Sequence, residues 1–146
     1  MAYKQFLPYF ASGKINKGFG RGSAALGIPT ANYPEDVVST LPAEFDNGIY
    51  YGWAGLEGSV YKMVLSIGWN PFFKNIKKSM EVHILHKFSG DLYGKQLNII
   101  ITGFIRLEKD FSSLDDLIAE IKNDIKIADD KLNDEQMLKY KNNDFL

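Results

Sequence analysis

The chain has 146 residues, of which 45% are hydrophobic, 24% charged and 14% aromatic, with a formal net charge of -1 and no cysteine. That length suits one domain with one core and leaves no room for a second catalytic domain, and the near-neutral charge gives no bulk attraction to nucleic acid or anionic membrane. Without cysteine there can be no disulfide, thiolate nucleophile or zinc-thiolate site, and the two histidines, His83 and His86, are too few for a three-histidine metal centre, so a metal would be held by oxygen ligands, which favours Mg2+.

The opening MAYKQFLPYF lacks the basic start and long apolar stretch of a signal peptide. No segment approaches the ~20 apolar residues of a membrane span, so an intracellular, cytoplasmic protein is expected. A short strand is predicted over residues 8–15. Next comes GFGRGSAALGIPTAN, Gly18 to Asn32, with four glycines between Gly18 and Gly27. Glycine lets backbone N–H groups turn toward an anion, as in phosphate cradles. The familiar templates do not fit. Ile28 and Pro29 stand where a Walker loop needs Lys and Ser or Thr, and no HRD or DFG triplet follows to complete a protein-kinase loop. Taken alone, the segment reads more often as a hairpin or surface loop. Pro29 stiffens the entry to Thr30, and Thr30 and Asn32 lie two apart, so in a strand both face one side. Their neutral oxygens suit one Mg2+ or phosphate oxygens; the competing reading is an Asx or Thr turn.

Further strands are predicted over residues 48–55, 60–69, 80–86 and 95–107, the last with Gly103 at a bend or bulge. In MEVHILH, Met80, Val82 and Ile84 share one face, while Glu81 and His83 share the other. Glu81 is a candidate general base, although alternation by itself makes it a solvated outer-face residue. His83 and His86 read as structural histidines. Lys74, Lys77 and Lys78 read as a solvated turn; with Phe72 and Phe73 they would make a single-strand nucleic-acid patch, which the net charge disfavours.

All thirteen glycines lie at or before Gly103 and all five prolines at or before Pro71, a sign of strands first and helix last. Leu114, Leu117, Ile118, Ile121, Ile125 and Ala128 then follow helical spacing, with Ser112 or Ser113 as cap and Asp115 and Asp116 in the first turn. Residues 133–146 are polar and read as a short helix or a frayed end. Five or six strands and one amphipathic helix predict a mostly β fold, a small antiparallel barrel with the helix packed on it. The absence of helical period before residue 104 argues against a parallel nucleotide-binding sheet.

Six motifs in order, GFGRGS (18–23), LGIPTAN (26–32), GIYYGWA (48–54), SIGWNPFFKN (66–75), KSMEVHI (78–84) and DLYG (91–94), resemble the eukaryotic-type monofunctional riboflavin kinase family over about residues 7–132. The resemblance implies a six-stranded antiparallel Greek-key β-barrel with a C-terminal α-helix, as one domain over residues 1–146. Its barrel would cover about 7–110 and its helical part about 112–146. It implies transfer of the ATP γ-phosphate to the 5'-hydroxyl of riboflavin, giving FMN and ADP, by a monomer that binds neither nucleic acid nor membrane. Thr30 and Asn32 would hold Mg2+, with Zn2+ or Mn2+ as substitutes, and ATP phosphates, and Glu81 would be the base. Gly18, Arg21, Ile84, His86 and Tyr93 would join Thr30 and Asn32 in the ATP site, and Arg106, Lys109 and Phe111 would contact the flavin. Ala24 stands where the family often has a basic residue, a loss for which Arg21 would compensate. With no adenylyltransferase domain, FAD synthesis is not expected. The competing functions are a kinase for another small acceptor and a non-catalytic flavin-, nucleotide- or oligonucleotide-binding barrel.

Overall fold

The computed structural model describes residues 2–16, 30–69 and 77–146. Six strands, β1 (Tyr9–Lys14), β2 (Thr30–Asn32), β3 (Gly48–Leu56), β4 (Ser59–Trp69), β5 (Lys78–Ile84) and β6 (Gln96–Leu107), form one antiparallel sheet in the order β1-β6-β3-β4-β5-β2. Consecutive β3, β4 and β5 are neighbours and β6 returns to the far side of β3, which is a Greek key. The sheet curls until its two edges meet: Asn16, just after β1, bridges Asn32 of β2 through N–H···O bonds of 2.7 and 3.2 Å. Because β2 has only three residues, the expected barrel takes the form of a curled sheet joined, among the described residues, by this single bridge.

Period-2 alternation sends Met63, Leu65, Ile67, Met80, Val82, Ile84, Leu97, Ile99 and Ile101 into the inner core. Strand β3 does not alternate, since nearly every residue in it is buried. Its other face, with Tyr51 and Trp53, lies under the C-terminal helices together with Val64. A strand covered on both sides has no reason to carry polar residues at every second position, which is why GIYYGWAG is apolar throughout.

Helix α1 (Glu35–Val38) is a single turn that sequence periodicity did not indicate; one turn is too short to show a period, and only Pro34 and the acidic pair Glu35 and Asp36 mark it. Helix α2 (Leu114–Lys131) starts where the serines suggest, with Ser113 Oγ accepting from the Asp116 N–H at 3.1 Å. Ala128 and Leu132 anchor it on Tyr51, Trp53 and Val64. Leu114, counted in the apolar stripe, is exposed. The polar tail forms α3 (Glu135–Lys141), pinned to the sheet by Trp53 Nε1, which donates to the Met137 carbonyl at 2.9 Å. Among the described residues no helix is long and apolar enough to cross a membrane.

The β3–β6 ladder slips between Ile49 and Tyr50 and again between Tyr51 and Gly52, on either side of the Tyr51–Gly103 pair. The Tyr51 ring fills the space a Cβ on residue 103 would take, so glycine here lets the ring lie against the strand and support α2. Gly103→Ala is expected to lower stability by about 1–3 kcal/mol in urea denaturation, the usual cost of overpacking. An unchanged midpoint would show that the ring steps aside freely.

Candidate active site

The register of the sheet lines up one residue from each of five strands. Asn32 lies opposite Glu81, Glu81 opposite Ser66, Ser66 opposite Ile49, and Ile49 opposite Arg106. A second row runs Thr30, His83, Val64, Tyr51 and Gly103. Both rows sit on the outer face, since the intervening Ala31 and Val82 belong to the inner core. With neighbouring strands about 4.7–4.9 Å apart, the first row spans roughly 19 Å from Asn32 to Arg106. Helix α2 crosses above it. Between helix and sheet is a pocket of about 150 Å³, lined by Glu81, His83, Ser66, Val64, Ile49 and Arg106 from the strands, by Glu108, Lys109 and Phe111, and by Leu117, Ile121, Asp124 and Ile125 of α2.

Glu81 is on the outer face, as alternation indicates, but it is not solvated: only 2% of it is exposed. Alternation tells which side a residue faces, not what covers that side. His83 is likewise buried, with Nε2 3.7 Å from Glu81 Oε1. Burial pushes the imidazole down to about 4, so it is neutral at physiological pH. Asn32 is 6% exposed, and its Oδ1 has no hydrogen-bond partner among the described residues. A buried carbonyl oxygen awaiting a partner, a Thr hydroxyl two residues away on the same face and a carboxylate across the ladder are hard donors that fit Mg2+. No three His, Cys, Asp or Glu residues converge among the described residues, so they form no site of the zinc type.

The other end of the row is cationic and aromatic. Arg106 donates to both carboxylate oxygens of Asp124, Nε to Oδ1 at 2.9 Å and Nη2 to Oδ2 at 2.8 Å. Lys109 Nζ is 2.9 Å from Glu120 Oε2, and both cations lie over the Phe111 ring, at 5.7 and 5.6 Å. Such a two-pronged bond fixes orientation as well as distance, so the fork ties β6 to α2 beside the pocket. Burial raises the Asp124 carboxyl above its ordinary range against the pull of Arg106, while the Lys109 hydrogen bond draws Glu120 down. Arg106, Lys109 and Phe111, assigned by resemblance to the flavin, thus share one pocket with Glu81.

Sequence reasoning missed Asp124 and Ser66. The signal for Asp124 was present: it is an acid set among Ile121, Ile125 and Ala128, inside the apolar stripe. Ser66 showed no signal beyond its place in a motif. None of the five described residues expected at the ATP site lines the pocket: Thr30 and Asn32 stand across the ladder from His83 and Glu81, and the other three lie elsewhere. Ile84 is in the inner core, His86 is exposed with its ring packed on Tyr61 and Phe88 at 4.6 and 4.8 Å, and Tyr93 is 47% exposed. Tyr93 precedes Gly94, whose N–H donates to the Ile15 carbonyl at 2.9 Å, next to the Asn16–Asn32 bridge. Gly18, Arg21 and Ala24 lie outside the described residues, as do Phe72, Phe73 and Lys74. Lys78 is not a solvated cation: its Nζ donates to the Phe45 carbonyl at 2.6 Å, close to the Trp69 ring.

The family model described as Flavokinase: Riboflavin kinase matches residues 5–132. A riboflavin kinase from Homo sapiens is 56% identical over 140 residues, 95% of this chain and 90% of that protein. A bifunctional riboflavin kinase/FMN phosphatase from Arabidopsis thaliana is 46% identical over 95% of this chain and 37% of its own length. Among solved structures, a riboflavin kinase from Trypanosoma brucei is similar with a TM-score of 0.71 and 31% identity, covering 93% of this chain and 87% of that one.

The buried imidazole has a consequence for stability. Between its folded value of about 4 and its ordinary 6.5, the unfolded chain binds a proton at His83 that the folded chain does not. The contribution is complete above pH 6.5 and is lost as pH falls toward 4. Between pH 7.5 and pH 5 it amounts to about 2 kcal/mol. Urea denaturation at the two pH values should show that much less pH dependence in His83→Leu than in the wild type; parallel pH profiles would contradict the burial of a neutral histidine.

Proposed function

On the premise that this chain belongs to the riboflavin kinase family and phosphorylates riboflavin from ATP to give FMN and ADP, we propose that the outer-face row from Asn32 to Arg106 carries the reaction, with Glu81 as its general base. The observation that carries this reading is the cross-strand pair Asn32–Glu81, which brings the candidate metal arm and the candidate base together. Phosphoryl transfer demands alignment and neutralisation of charge more than covalent help from the protein.

The flavin ring would enter beside Phe111, Arg106 and Lys109, and its five-carbon chain would run along Ser66 to bring the 5'-hydroxyl to Glu81. The path from Arg106 to Glu81 is three strand spacings, roughly 14 Å, which suits a ring with an extended chain. A pocket of about 150 Å³ is below the roughly 300 Å³ usual for such ligands, so the ring would enter by displacing α2 or the segment before it. Thr30 Oγ1 and Asn32 Oδ1 would hold Mg2+, which supplies charge neutralisation on the phosphates when bound. Glu81 accepts the 5'-hydroxyl proton as the oxygen forms its bond to the γ-phosphorus; the bond from that phosphorus to the β,γ-bridging oxygen breaks and ADP departs. Burial under α2 keeps water from competing as acceptor.

Glu81→Gln preserves shape and removes the base. Its kcat for FMN formation is expected to fall by about 10^2 to 10^4, with the fold retained by circular dichroism. A rate close to wild type would remove Glu81 from this role.

A further inference from the structure

The mechanism above gives no task to His83, although the side chain stands in the pocket wall, two residues from Glu81 on the same face of β5. It is more than nine-tenths buried, and its Nδ1 has no hydrogen-bond partner among the described residues. A histidine kept only for packing would have its buried nitrogens satisfied, because an unmet polar atom in the interior destabilises the fold. We propose that His83 is a substrate-binding residue whose Nδ1 accepts a hydrogen bond from a secondary hydroxyl of the chain that carries the reacting hydroxyl, so that the site selects flavins with a polyhydroxylated chain. The inference rests on the reading that Glu81 meets the 5'-hydroxyl.

The tautomer follows from the neighbours. Nε2 faces Glu81 Oε1 at 3.7 Å, and a proton on Nε2 avoids setting two acceptors against each other. Nδ1 is then a bare acceptor, which suits an O–H donor. The substrate's chain bears a hydroxyl on each carbon after the first. With its end at Glu81, the remaining hydroxyls lie within a few ångströms, on the stretch between Glu81 and Ser66. Much of the wall there is apolar, from Val64, Ile49, Ile121 and Ile125. Secondary hydroxyls entering it need polar partners, and His83 provides one beside the reaction centre. Sites built to bond a hydroxyl discriminate strongly against analogues that lack it.

The test compares riboflavin with the same ring bearing a 5-hydroxypentyl chain, which keeps the reacting hydroxyl and lacks the other three. Both are assayed with Mg-ATP for wild type, His83→Leu and His83→Asn, together with the thermal midpoint of each protein. His83→Leu should lower the ratio of kcat/KM for riboflavin to that for the analogue by about tenfold, chiefly through the KM for riboflavin, without lowering the midpoint, since no side-chain hydrogen bond to a described residue is lost. His83→Asn, whose amide falls near the place of Nδ1, should restore most of the ratio. If His83→Leu does not fold, His83→Gln serves instead: its amide falls near Nε2, and the ratio should stay low. A ratio unchanged in the variant lacking the Nδ1 acceptor, or equal losses for both substrates, would overturn the proposal. Failure of the underlying reading shows separately, as normal turnover of riboflavin by Glu81→Gln.

Discussion

The pairing of β2 with β5 is the constraint on which the rest of the site depends. β2 contributes only three residues, yet its register decides where Thr30, Ala31 and Asn32 point. A slip of one residue would turn Thr30 and Asn32 into the core and Ala31 outward. Several contacts forbid that slip. Ala31 is fully buried on the inner face, the Tyr33 N–H bonds the Met80 carbonyl, the Tyr33 hydroxyl donates to the Leu97 carbonyl at 2.7 Å, and Asn16 closes the other side of Asn32. The core thus sets the position of the outer-face oxygens, although none of them is part of it.

The second condition is cover. An outer-face carboxylate on a bare sheet would be solvated, and the hydrogen bonds it makes would be weak. Helix α2 closes the pocket in whose wall Glu81 and His83 are buried. The Arg106–Asp124 fork and the packing of Ala128 and Leu132 on Tyr51, Trp53 and Val64 hold the helix at its height above the sheet. A part-buried ion pair of this kind contributes less to net stability than to fixing one geometry, which is what a site assembled from five strands and a helix requires.

Much of this was legible in the sequence, for identifiable reasons. The strands carried β-branched and aromatic runs bounded by glycine, and the helix carried a 3.6-residue stripe with a serine cap, so their limits fell within a few residues of those observed. Glu81, Thr30 and Asn32 stood out as candidates because their residue types suit phosphoryl transfer, but spacing alone favoured a solvated residue and a turn, and only the motifs taken together assigned them roles. What the sequence could not show was proximity: Asn32 and Glu81 are forty-nine positions apart, and only strand pairing makes them neighbours. Burial was hidden for the same reason, so Glu81 looked solvated. Asp124 was overlooked because an acid on a helix is usually at the surface, and α1 because one turn has no period.

The most direct test is a titration of riboflavin into uniformly 15N-labelled protein, read by backbone amide shifts. Binding along the outer-face row should move the amides of Ser66, Glu81, His83, Arg106 and Phe111 together, and those of α2 between Leu117 and Ile125. Shifts confined to the separate hollow between α1 and Trp69, with the row unmoved, would contradict the assignment of the site.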